Sequence, residues 1–276
     1  MGIFSFLSKE DTLYFPGCIN YYKYKENFVL YKEIFGKLGI DFVELDEKIC
    51  CGVDALEAGY ENEARKLARK NVDLFKKNKI KKIITTSPAA YKGFLQNYPQ
   101  LIPDWDVKVE NIWEIISDKI NGGIKNKTEE VIAYHDSCYL GRYCGVYDEP
   151  RKILSLIGYK IKEFPYSKEN AICCGSCGGL PRVNPQLADE IARDRLLQAK
   201  RIGVKKIVVI GFDNYQLLNK NSHGLGIEVV EMSTVLAGAL GLIEVKTVVE
   251  SVDEKGKEME ETDDMEDDME EGIKYG

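Results

Sequence analysis

No apolar run in the chain reaches the roughly 18–20 residues that a membrane-spanning helix requires; Val235 to Val245 comes nearest. Direct insertion into a bilayer is therefore not expected. Gly2-Ile-Phe-Ser-Phe-Leu7 is too short for a secretory leader and has no basic segment before it. N-myristoylation is not expected either, because Phe6 stands where Ser or Thr is needed. These absences predict a cytoplasmic protein that reaches a membrane only through a partner. The sequence also has no Walker A motif, no dinucleotide-binding fingerprint and no H-E-x-x-H pair. A flavin or nicotinamide of its own is not expected. Arg65-Lys-Leu-Ala-Arg-Lys70 and Lys76–Lys82 are rich in basic residues but read as a solvated helix face, so no nucleic-acid partner is expected.

What remains is a soluble, globular composition, 44% apolar and 30% charged over 276 residues, enough for one or two domains with substantial cores. The net charge of −7 is unevenly placed. Residues 250–271 hold thirteen Asp/Glu against two Lys, or −11, which leaves the rest at about +4. Glu250–Gly276 is therefore expected to be a disordered acidic tail, a solubilising terminus or a docking arm for a basic partner.

Eight cysteines are the unusual feature. In a cytoplasmic chain they read as metal or redox groups before disulfides. Two Cys-Cys-Gly sequences occur, Cys50-Cys51-Gly52 and Cys173-Cys174-Gly175, the second followed by Cys177. Vicinal thiols among glycines pack poorly and bridge each other poorly, but they can hold a soft metal centre: zinc, copper(I) or an iron–sulfur cluster. A structural zinc commonly uses two closely spaced cysteine pairs. Here only Cys174 and Cys177 form C-x-x-C, while five residues separate Cys138 from Cys144.

The chain is duplicated. Tyr14-Phe-Pro-Gly-Cys18 parallels Tyr134-His-Asp-Ser-Cys138, and the offsets of successive matching segments are 120, 123, 124 and 120. The halves fall at 12–120 and 129–243, with Lys119–Thr128 as linker. In the first, Leu13–Phe15, Asp41–Leu45, Lys82–Thr86 and Val107–Glu110 read as strands. Tyr24–Leu38, Ala55–Lys77 and Ala89–Tyr98 read as helices. In the second half the clearest helix is Pro185–Arg201, with Asn184 as N-cap, Pro185 at the first turn, and Gly203 at the stop. Its buried stripe is expected to be Leu187, Ala188, Ile191, Ala192, Leu196 and Ala199. Alternation of strands and helices predicts an α/β fold of two pseudo-symmetric Rossmann-like repeats with mainly parallel sheets. Cys18, Cys50-Cys51, Cys138 and Cys173-Cys174 all follow predicted strands, where sites in such folds lie.

These segments resemble the cysteine-rich CCG domain of the B and D subunits of heterodisulfide reductase, which also occurs in iron–sulfur subunits of glycolate, glycerol-3-phosphate and lactate oxidases. The most specific correspondence is carried by Tyr134-His-Asp-Ser-Cys-Tyr-Leu-Gly-Arg142, Gly145-Val-Tyr-Asp-Glu-Pro-Arg151 and Ala171-Ile-Cys-Cys-Gly-Ser-Cys-Gly-Gly179. The resemblance implies a [4Fe–4S] cluster held by one Cys, a Cys-Cys-Gly and a final C-x-x-C in each half. Both final pairs are missing: Ser87-Pro-Ala-Ala90 and Gly211-Phe-Asp-Asn214 stand in their places. The first half keeps Cys18, Cys50 and Cys51. The second keeps Cys138, Cys173 and Cys174 and adds Cys144 and Cys177, which are expected to restore a five-thiolate site; buried packing is the alternative for Cys144. His135 is a candidate proton relay or a loop histidine bonded to backbone. Arg142, Arg151 and Arg182 are candidates for balancing a negative cluster, or ordinary ion-pairing residues.

The implied function is an iron–sulfur electron-transfer subunit of an oxidoreductase, heterodisulfide-reductase-like, acting on thiols or disulfides. No ferredoxin-type C-x-x-C-x-x-C run is present, so a ferredoxin-like or flavoprotein subunit is the expected partner. A scaffold subunit that has lost its clusters and a zinc-stabilised binding module are the alternatives.

Overall fold

The computed structural model describes residues 11–244; the acidic tail expected at 250–276 lies outside them. The first part contains β1 (Thr12–Phe15), α1 (Cys18–Tyr22), α2 (Lys25–Leu38), α3 (Val53–Glu57), α4 (Glu61–Lys77), β2 (Lys82–Thr85), α5 (Pro88–Lys92), α6 (Tyr98–Leu101), β3 (Lys108–Val109) and α7 (Ile112–Lys119). The second contains β4 (Val131–His135), α8 (Asp148–Ile157), β5 (Lys160–Ile161), α9 (Leu180–Val183), α10 (Pro185–Arg201), β6 (Lys206–Val209), α11 (Phe212–Ser222), β7 (Glu228–Glu231) and α12 (Met232–Leu240).

The strands form two sheets, β1-β2-β3 and β5-β4-β6-β7, and every pairing is parallel. The α/β reading therefore holds. Parallel strands need crossovers, and these put helices on both faces, so the strands are apolar on both sides. Ile83 and Ile84 of β2 and Ile207 to Val209 of β6 are all buried. Each sheet has an outer core of its own, built on Phe15, Phe75 and Phe94 in one case and on Ala133, Leu196 and Ile207 in the other. Between the sheets lies a shared core that includes Tyr14, Phe35, Trp113, Ile132, Leu154 and Leu236. Tyr31 of the first sheet's helices donates its hydroxyl proton to the buried carboxylate of Glu231, at 3.0 Å, and so ties the two units together. Among the described residues no helix is long and apolar enough to cross a membrane.

Three local expectations are corrected. Asp41–Leu45 does not form a strand; only the bridge between Leu13 and Val43 survives, at the position that β5 occupies beside β4. The helix expected over Ala55–Lys77 is two helices, broken between Glu57 and Glu61. The segment Ala89–Tyr98 begins at Pro88, capped by the Ser87 hydroxyl, and opens into a wide turn at Gly93–Asn97 before α6.

Helix α10 follows expectation at its start, where the Asn184 side chain accepts from the Leu187 amide and Pro185 fills the first turn. Its buried stripe differs. Ala188, Ala192, Leu196 and Ala199 are buried, but Leu187 is 41% exposed and Arg195 is fully buried.

Candidate metal centre

The cysteines of each unit gather where strands end and helices begin. In the first, Cys18 opens α1 directly after β1, and Cys50-Cys51 precede α3. The Cys18 thiol hydrogen-bonds with those of Cys50 and Cys51. The Gly52 amide donates to Cys50 Sγ at 3.4 Å. Behind this loop, the buried Asn71 Nδ2 donates to the Cys50 carbonyl and to the Tyr98 hydroxyl, both at 2.7 Å.

The second unit repeats the arrangement and extends it. Cys138 follows β4, and its thiol contacts those of Cys173 and Cys177. Cys173 contacts Cys174 and accepts from the Gly175 amide at 3.3 Å. Cys174 is buried, whereas Cys138, Cys173 and Cys177 are partly open to solvent. The Ser176 hydroxyl links Cys174 and Cys177, at 3.3 and 3.4 Å. In each loop the first vicinal cysteine, Cys50 or Cys173, is pushed far below the ordinary thiol pKa. Hydrogen bonding from Cys18 or Cys138 comes first among the causes, then the second vicinal cysteine, with the glycine amide adding to it. The partners Cys138 and Cys174 are correspondingly raised. One thiolate per loop is thus favoured and the others stay protonated until something cationic replaces their protons. Among the described residues the thiols touch in pairs, and no three side chains of Cys, His, Asp or Glu are gathered as a ready single-ion site.

Cys144 is not brought to this group. It packs against the shared core, beside Lys92 of the first unit, which lies near its thiol. The five-thiolate arrangement therefore reduces to Cys138, Cys173, Cys174 and Cys177. At the place of the missing final cysteine, Asn214 turns its side-chain oxygen to Cys174 Sγ at 3.2 Å and to the Ser176 hydroxyl at 2.7 Å. Its Nδ2 donates to the Ile210 carbonyl at 2.8 Å, which fixes the orientation of the amide. The two stretches that replace the missing pairs abut: a Cβ on Gly211 would lie 2.8 Å from Pro88 Cδ.

The arginines have other partners. Arg151 makes a bidentate bond to the buried Asp136, at 2.7 and 2.9 Å, and also holds Glu163. Arg142 donates to the Ala171 carbonyl. Arg182, largely exposed, reaches Asp54 of the first unit at 3.6 Å. His135 is buried at the end of β4 and accepts from Arg195 Nε through Nδ1, at 3.2 Å, rather than bonding to backbone. Burial, with the neighbouring guanidinium, pushes its pKa down to about 3, so the ring stays neutral. Arg195 was not foreseen. Its signal was available, since Ala188, Ala192, Arg195 and Ala199 share one helical face. Tyr139 also joins the site: its hydroxyl donates to Glu57 of the first unit and accepts from the Gly178 amide.

The cysteine-rich domain CCG matches residues 12–90 and 132–211, one copy on each thiol group. The chain belongs to the CCG cysteine-rich domain family. CCG-family relatives include a subunit of the dihydromethanophenazine:CoB--CoM heterodisulfide reductase of Methanosarcina barkeri. It is 34% identical over 201 residues, which span 69% of this chain and 49% of that protein. The probable iron-sulfur-binding oxidoreductase FadF of Bacillus subtilis is 34% identical over 176 residues, spanning 62% and 25% of the two chains. The chain thus spans about half the length, or less, of these CCG-family relatives. A hypothetical protein from Helicobacter pylori shares the fold, with a TM-score of 0.58 over 83% of this chain and 49% of that one, at 14% identity.

Proposed function

We propose that this CCG-family protein is an iron–sulfur electron-transfer subunit of a larger oxidoreductase, with its centre held by Cys138, Cys173, Cys174 and Cys177. The observation that supports this most is the repeated geometry. A lone cysteine after one strand meets a vicinal pair from the next loop, and a glycine amide supports the first thiolate of the pair, in both units. Packing alone has no need of that pattern twice. Soft thiolate donors with amide support fit an iron–sulfur group, which when bound supplies a one-electron acceptor.

The chain's own residues do the rest. Cys138, Cys173 and Cys177 remain open enough for a partner to approach, while Cys174 is closed off by Ser176 and Asn214. Four cysteines match a [4Fe–4S] composition. Cys18, Cys50 and Cys51 offer three, and the first site is read as vestigial or labile. Electrons come from a ferredoxin-like or flavoprotein subunit in the cytoplasm, and the final acceptor is a thiol or disulfide, in keeping with the relative named as part of a heterodisulfide reductase.

Anaerobic reduction tests the reading. The loaded protein should take up one electron from dithionite with bleaching of its visible band, and a mild oxidant should restore the colour. Iron-loaded protein that does not bleach reversibly contradicts an electron-transfer role.

A further inference from the structure

The duplication supplies an internal control on the buried surroundings of the two thiol groups. Helices α4 and α10 are both 17 residues long and are offset by 124 positions. Ala64, Ala68 and Val72 of α4 correspond to Ala188, Ala192 and Leu196 of α10, and all six are buried. By the same offset Asn71 corresponds to Arg195, and both are buried, at 2% and 0% exposure. The strand residues at the matching offset of 120 are Phe15 and His135, also both buried. The first unit therefore backs its cysteines with a neutral Asn and a Phe. The second has a cation and an imidazole in the same places.

The cation is placed at a cost. Arg195 Nε donates to His135 Nδ1, and Nη1 donates to Gln198 Oε1 at 2.8 Å and to the Tyr166 carbonyl at 3.3 Å. The guanidinium carbon lies 3.5 Å from the centre of the Phe164 ring. Nη2 is buried without a hydrogen-bond partner, and among the described residues Arg195 makes no ion pair. A buried cation without a partner is strongly unfavourable unless negative charge lies close by. The anionic groups that act on it are Asp136, Cys174 and Glu163. Both carboxylates are held by Arg151, at 2.7 and 2.6 Å. The thiolate centre is what remains to balance Arg195.

We propose that Arg195 is a positioning and charge-balancing residue for the cysteine centre of the second unit: it holds His135 as the Nε2–H tautomer and, by its fixed charge, raises the electron affinity of that centre above what the Asn71 surroundings would give. The charge part rests on the iron–sulfur reading; the tautomer part does not. Because Nδ1 accepts from Arg195 Nε–H, the proton of the neutral ring must sit on Nε2. A fixed positive charge in a poorly screened interior favours each added electron. The second centre should therefore be the more easily reduced of any the protein holds.

The test uses the full chain with Arg195→Asn, which installs the residue that the same helix position already accommodates in the first unit, and Arg195→Lys, which keeps the charge. The chain has only two histidines, so nitrogen NMR of histidine-labelled, metal-free protein reads the tautomer directly. Wild type should show protonated Nε2 and bare Nδ1 at His135, and Arg195→Asn should lose that fixed preference. A dithionite titration of loaded protein, followed by electron paramagnetic resonance, should show a more negative midpoint in Arg195→Asn and recovery of most of the shift in Arg195→Lys. A wild-type Nδ1–H tautomer, or an unchanged midpoint in Arg195→Asn, overturns the proposal. If no cluster forms in wild type, the iron–sulfur reading fails, while the histidine spectrum still decides the role of Arg195 in positioning.

Discussion

Alanine at Gly175 should destabilise the protein far more than alanine at Gly52, although both glycines close a Cys-Cys-Gly. The two have similar left-handed backbones, with φ of +89° and +79°, so either substitution carries strain of about 1–2 kcal/mol. Their surroundings differ. A Cβ at Gly175 would lie 2.9 Å from the Ala188 carbonyl oxygen and 3.3 Å from Ile191 Cβ, against the rigid first turns of α10. At Gly52 the nearest atom, the Ala64 carbonyl oxygen, is 3.6 Å away, an ordinary contact. Forcing a methyl group into the tighter site adds about 1–3 kcal/mol. Gly175→Ala is thus expected to lose about 2–5 kcal/mol in total, and Gly52→Ala about 1–2 kcal/mol. Urea unfolding of metal-free protein, followed by circular dichroism, measures the difference. With a slope of about 3 kcal/mol per molar urea, the two midpoints should be separated by about 0.3–1 M. Equal midpoints at equal slopes would refute the claim that the second loop is pressed onto its helix more closely than the first.

Other expectations follow from single residues. Arg151→Ala leaves the buried Asp136 carboxylate without its bidentate partner; a loss of about 3–5 kcal/mol is expected in the same unfolding assay. Asp213 is raised from 3.8 to about 6, first by burial and then by the neighbouring Asp54. The folded protein therefore keeps a proton that the unfolded chain releases, so stability should fall as pH rises from about 4 to about 6 and level off above. Asp213→Asn should flatten that part of the pH–stability curve; an unchanged slope would contradict the assignment. Cys177→Ser should lose most of the bound iron, and Cys144→Ser should keep it, as read by iron analysis after anaerobic preparation. Iron loss in the Cys144 variant would place its thiol at the centre after all.

Much of this was legible in the sequence because the duplication fixes order and spacing at once. Parallel strands, helix α10 with its Asn184 cap, and the placing of six cysteines after strands all follow from local pattern. The failures have physical reasons. Asp41–Leu45 has alternating β-type residues, but whether such a run pairs depends on the neighbouring edge, and here one bridge forms. Glycine and turn chemistry between Glu57 and Glu61 broke a helix that apolar periodicity alone had joined. Cys144 and Cys177 lie at similar short distances in sequence from other cysteines. Only the path of the chain decides that one faces Lys92 and the other faces Cys138. Arg195 was hidden because a charged residue on an apolar face is normally assigned to solvent, and its partner His135 lies 60 positions away.

The most direct test of the central claim is iron and acid-labile sulfide per chain in anaerobically purified wild-type protein, with its visible spectrum. The account predicts about four irons with matching sulfide and a brown colour, from one [4Fe–4S] group on the second unit's cysteines. Protein that holds no iron or sulfide, even after anaerobic reconstitution, would contradict it and leave a cluster-free scaffold.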